Sequence, residues 1–138
     1  MNEYKLFWDA IKKCDWSQKG NDDKVLEPVV RFLSGRDEQY IYRFDDQMSD
    51  LLHQLDNNRL ARQCREVDPA MSDDSFLYSR CVALINGEEF YEKVRGLKCP
   101  EIWEMEFESI LYVPQKAWAM KTNSDEEDYP HSPPYENV

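Results

Sequence analysis

Glycine is scarce in this chain: four residues, isolated at 20, 35, 87 and 96. Isolated glycines cannot build the Gly-rich loop that cradles a phosphate. Histidine is scarcer still. His53 falls in a helical pattern and reads as a surface side chain; His131 falls in an acidic C-terminal stretch. Neither has a cysteine or histidine at metal-ligand spacing. The cysteines, Cys14, Cys64, Cys81 and Cys99, contain no C-x-x-C pair. No apolar run reaches the length of a membrane span. The opening M-N-E-Y-K-L-F-W-D alternates charge with aromatics where a secretory leader carries a continuous apolar stretch. The expectation is a cytoplasmic protein with free buried thiols, no metal and no cofactor.

Positive charge is also in deficit. Lysine and arginine total 17 against 28 acids, a net charge of −11. Five acids and one lysine between Lys121 and Val138 place −4 there, leaving −7 for the body. Phosphate backbones and anionic lipids repel such a chain, which argues against nucleic-acid and membrane partners. A basic protein partner is attracted instead, and opposite charge speeds its encounter.

What the chain does have is helical periodicity. Apolar and aromatic residues suffice for one packed domain without disulfides. Tyr4, Phe7, Trp8, Ile11 and Cys14 mark a first amphipathic helix, with Asn2 as its cap. A second spans Asp23 to Ser34, and Gly35 stands where a left-handed C-cap belongs. Pro28 implies that this helix starts late or kinks. Asp37 caps a third, whose Ile41, Phe44, Met48, Leu51, Leu52 and Leu55 share one face; Asp45, Asp46, Ser49 and Asp50 lie on others. Asn57-Asn58 interrupts it before a shorter segment with Leu60, Ala61 and Cys64. Val67-Asp68-Pro69 is the next boundary.

The segment from Met71 to Val94 is the most informative. Ser72 or Asp73 caps a largely apolar helix, and the acids Asp73 and Asp74 suit the positive end of its dipole. Asn86-Gly87 ends it, and Phe90, Tyr91 and Val94 start a new apolar face. Trp103, Phe107, Ile110 and Leu111 then have the spacing of a further helix, and Ala117, Trp118 and Met120 fall in the last helical turns. No segment shows sustained period-two alternation bounded by hairpin turns, so the expected class is all-α. The expected architecture is a compact single-domain bundle of about six or seven helices over residues 1–122. Residues 123–138 form an acidic, Pro-rich tail expected to be poorly ordered alone, though Tyr129 and Tyr135 are able to dock it.

Arg80 is the notable charge, since a cation inside an apolar helix must be paired to offset its desolvation. The expected arrangement is a buried ion pair with Asp73, Asp74 or an acid of a neighbouring helix. The functional alternative is an anion-binding arginine lining a pocket. Ser75 and Ser79 lack a nucleophile elbow, and no catalytic constellation is present.

The run S-D-D-S-F-L-Y-S-R-C-V-A-L-I-N-G-E-E-F-Y-E-K-V resembles the signature of a bacterial family labelled domain of unknown function 4240. The matching positions are Asp73, Asp74, Phe76, Arg80, Leu84, Ile85, Gly87 and Tyr91. F-W-D-A-I, at Phe7 and Trp8, resembles the family's Phe-Trp start, and E-F-E-S-I-L-Y-V-P-Q-K-A-W is similar to its final helices. There are departures. Leu60-Ala61 and Arg65 to Ala70 stand where many members have tryptophan, small residues and paired glycines. Ser79 and Val82 replace the usual aromatics around the arginine. The resemblance implies a small helical bacterial domain and supplies no activity. It makes Asp73, Asp74, Arg80 and Tyr91 the candidate binding residues. The leading functional expectation is a non-enzymatic protein-binding module, of the kind represented by immunity proteins that neutralise a basic partner. The alternative is a small-ligand or anion sensor, or an enzyme, with a pocket around Arg80, Asp73 and Asp74.

Overall fold

Four helices begin at a side chain that accepts a hydrogen bond from a free N–H of the first turn. Asn21 accepts from Lys24, Asp37 from Tyr40, Asn57 from Leu60 and Ser72 from Ser75, at 3.2, 2.9, 2.9 and 3.1 Å. These open α2 (Asp22–Ser34), α3 (Glu38–Gln54), α4 (Asn58–Val67) and α5 (Asp73–Ile85). With α1 (Lys5–Ile11), α6 (Glu88–Arg95) and α7 (Val113–Thr122) they make seven α-helices, and the described residues include no strand. This is a computed structural model, and it describes residues 3–135. The expected cap Asn2 lies outside that range; Tyr4 occupies the N-cap position of α1 and makes no side-chain cap bond.

Two local expectations need correcting. α2 starts at Asp22 and runs through Pro28, so a late start is excluded. Gly35 has φ −84°, so the left-handed cap does not form. Its N–H instead reaches the Arg31 and Phe32 carbonyls, and Arg36 N–H takes that of Leu33, closing the helix in right-handed geometry. At Gly87 a positive φ of 94° is required, where the chain turns between α5 and α6.

A third correction concerns residues 100–112. The helix expected from Trp103, Phe107, Ile110 and Leu111 is two 3₁₀ turns, Pro100–Glu104 and Glu108–Tyr112, with an extended break between them. The backbone there bonds sideways instead of along an axis. Phe107 N–H donates to the Tyr78 carbonyl at 3.0 Å, and the Met105 carbonyl accepts from Ser79 Oγ at 2.6 Å. The result is a strap pinned to α5.

α5 is the central element. Every residue from Ser79 to Ile85 is buried, as befits a helix apolar nearly all round. α3 packs between α1, α5 and α7, and α2 packs against α7. Phe7 stacks on Phe44 with ring centres 4.9 Å apart, tying α1 to α3.

Residues 123–135 return along the outer side of α3. Tyr129 donates to Asp45 at 2.9 Å and His131 pairs with Asp46 at 2.6 Å, its ring stacked on Tyr42. Ser49 Oγ donates to the Tyr135 carbonyl at 3.0 Å, and the Tyr135 ring lies flat on His53 at 3.8 Å. Both tyrosines named for docking therefore touch the body. Asp45 and Ser49, placed by periodicity off the core face, are buried.

Candidate functional site

The candidate residues sit on α5 and α6, and local structure divides them. Asp73 and Asp74 occupy the exposed first turn of α5, next to the Ser72 cap, where the free N–H groups favour negative charge. Asp73 lines a shallow cleft of about 240 Å³ together with Asp56, Cys64, Arg65, Met71 and Phe76. Asp74 acts instead on Tyr78 and Tyr112, on the side of the strap.

Arg80 lies two turns further along and is 0% exposed. Its Nη1 donates to the Leu52 carbonyl at 2.9 Å, and its guanidinium lies 4.6 Å from the centre of the Phe76 ring. Nε and Nη2 have no hydrogen-bond partner, and no described carboxylate is within ion-pair distance. Burial lowers its pKa, and Asp56 opposes that from longer range. The expected ion pair with Asp73, Asp74 or another acid is thus corrected. Those two acids stay on the solvent side of the first turn, while the arginine reaches across to α3. A carbonyl and an aromatic face hold the cation in place of a carboxylate.

The acceptor explains the geometry. Leu52 is in the last turn of α3, at the negative end of the helix dipole, and its carbonyl accepts from Leu55 N–H at 3.1 Å while a second lone pair takes the Arg80 donor. Tyr91, from α6, donates its hydroxyl to the adjacent Leu51 carbonyl at 2.6 Å, and burial pushes its phenol pKa upward. Arg80 and Tyr91 therefore converge on neighbouring carbonyls at the end of α3. Of the four candidate residues, two face solvent and two are sealed in this joint. The structure does not gather Asp73, Asp74 and Arg80 around one pocket: Phe76 forms part of the cleft wall, and Arg80 is buried against it.

Nucleophile chemistry finds little support in the thiols. Burial pushes Cys14 up to about 11 and Cys81 up to about 12, and raises Cys64 and Cys99 as well. Among the described residues no group of three His, Cys, Asp or Glu is placed to hold a metal ion.

Two groupings escaped sequence reasoning. One is the set Asp45, Asp46 and His53 on α3 that receives the tail, whose docking tyrosines alone the sequence names. The other is the strap, where Met105 and Tyr112 are exposed and Phe107 meets the ring of Trp16. Its only advance sign is the alternation of glutamate with apolar residues in E-M-E-F-E at 104–108.

Residues 1–120 match a family described as a protein of unknown function, DUF4240. No curated protein matches, and no solved structure matches. The chain belongs to the DUF4240 family.

Proposed function

Given membership of a family whose description carries no activity, we propose that this protein is a non-enzymatic protein-binding module whose partner is basic. The burial of Arg80 supports this reading best. The one cation of α5 is sealed against α3, so the charge that α5 offers to solvent is that of the acids Asp73 and Asp74. A net charge of −11 extends the same preference over the whole molecule. The raised thiols add to it, because an activated nucleophile needs a lowered pKa. Neutralising a basic protein by covering its functional surface, as immunity proteins do, is the specific form of this role.

The test is affinity capture from the source cell at low salt, followed by titration of the purified basic partner. Binding that weakens at least about tenfold between roughly 50 and 300 mM salt is expected. Failure to recover any salt-sensitive basic partner counts against the module. The two unpartnered nitrogens of Arg80 favour a second reading, in which a small anion reaches the guanidinium after local opening. Under that reading inorganic phosphate raises the melting temperature of the protein, and Arg80→Met abolishes the rise.

A further inference from the structure

The strap from Pro100 to Tyr112 carries four glutamates and neither lysine nor arginine. Glu101, Glu104, Met105 and Glu106 are exposed on it, and Glu108 is half-buried beside Tyr78. A hydrogen bond to Glu108 pushes the Tyr78 phenol up to about 12. Large apolar side chains stand among these acids: Met105 is 42% exposed and Tyr112 is 40% exposed. Trp16 is 44% exposed and meets Phe107 edge-on, with ring centres 6.3 Å apart. Phe107 thus joins the Trp16 turn to the strap.

The surface is held in place before any partner arrives. The bonds to Ser79 and Tyr78 fix Met105 and its flanking glutamates over α5. Asp15 accepts from Ser17 N–H at 3.0 Å and donates its own N–H to the Val25 carbonyl at 2.9 Å, which fixes the turn bearing Trp16. A pre-organised patch loses little conformational entropy on binding. Exposed aromatic and methionine side chains supply the kind of anchor that dominates interface energetics, and the surrounding carboxylates steer a partner of opposite charge.

We infer that this strap, with Trp16, is the docking surface for a basic protein segment that presents lysine or arginine around an apolar ridge. The inference rests on the protein-binding reading above and assigns it a place. The occupant follows from charge. A second copy of the chain would bring a net −11 of its own, and nucleic acid would bring phosphates; both are repelled by glutamates at 101, 104 and 106.

The test uses the full chain labelled with ¹⁵N and two synthetic peptides of equal length and charge. One is an amphipathic lysine–leucine helix; the other replaces leucine with serine. The lysine–leucine peptide is expected to bind about tenfold more tightly, shifting first the Trp16 indole and the amides of Met105 and Tyr112. Met105→Asp, or the pair Glu104→Lys and Glu106→Lys, should each lower its affinity about tenfold. The pair Glu88→Lys and Glu89→Lys on α6, which changes charge by the same amount, should lower it less than about twofold. Matched melting curves show that the variants fold. If neither peptide binds at low salt, the basic-partner reading itself falls. If the peptide binds but its shifts centre elsewhere, or the α6 pair weakens it as much, the strap inference falls and the broader reading stands.

Discussion

Arg80 keeps a charge in a fully buried position with one hydrogen bond, to the Leu52 carbonyl, and one aromatic face, that of Phe76. Burying an ion costs free energy that its single charged hydrogen bond only partly offsets, so side-chain volume and charge make separable contributions. Arg80→Ala removes both and should destabilise by about 3 kcal/mol or more. Arg80→Met keeps most of the stem while removing the charge, and should stay within about 1.5 kcal/mol of the parent. Urea unfolding of both variants checks this; equal losses would mean that charge, and not volume, stabilises the joint. The partner residue offers a smaller change. Tyr91→Phe leaves the Leu51 carbonyl without its buried donor and should cost about 1–2 kcal/mol.

Asp45 is the residue with a useful pH signature. Burial raises its pKa from 3.8 to about 6, against the Tyr129 hydrogen bond that lowers it. Because the folded value lies above the ordinary one, the native state binds more protons than the unfolded state between about pH 4 and 6. Its contribution to stability therefore falls as pH rises through that window and levels off above it. Asp45→Asn retains an acceptor for Tyr129, removes this part of the slope, and should gain about 1–3 kcal/mol at pH 7. Unfolding at pH 4.5 and pH 7, compared between variant and parent, reads the difference directly.

At the scale of elements, local chemistry was legible where a helix start is decided within three residues. Asp37 and Ser72 announce α3 and α5 by side-chain type alone, whereas Asn57, which reads from the sequence as an interruption, is the cap of α4. The strap is not legible because Trp103, Phe107, Ile110 and Leu111 keep helical spacing while Phe107 N–H bonds the Tyr78 carbonyl and the Met105 carbonyl accepts from Ser79 Oγ, the latter at a sequence separation of 26. The burial of Arg80 follows from its apolar flanks, but its acceptor does not, since nothing in α5 reveals that a carbonyl of α3 awaits it. The tail follows the same logic. Acidic, Pro-rich composition does not display that Tyr129 and His131 meet Asp45 and Asp46, at sequence separations of 84 and 85. Removing residues 123–138 should uncover Asp45 and Ser49 and cost about 2 kcal/mol. It should also speed amide exchange in α3, measurable by mass spectrometry, and abolish the Asp45 pH slope.

For the whole molecule the dominant quantity is the excess of acids. Only a few exposed ion pairs offset it: Lys5–Asp9 and Lys116–Asp23 are examples, at 2.6 and 3.6 Å. Surface pairs of this kind contribute little, so self-repulsion remains. Raising salt from about 20 to about 300 mM should therefore stabilise the protein by about 1 kcal/mol, visible as a higher melting temperature. A fall would show that screened attractions outweigh the net repulsion.

α3 also gathers the two ends of the described chain. Tyr4 hydrogen-bonds Asp50 and is bonded by Gln54, while Tyr135 meets Ser49 and His53. Those four positions span about 8 Å of helix axis. Tyr4 and Tyr135 are thus near neighbours in space, on adjoining strips of one cylinder. Dyes placed at these two positions would report unfolding through the loss of their proximity.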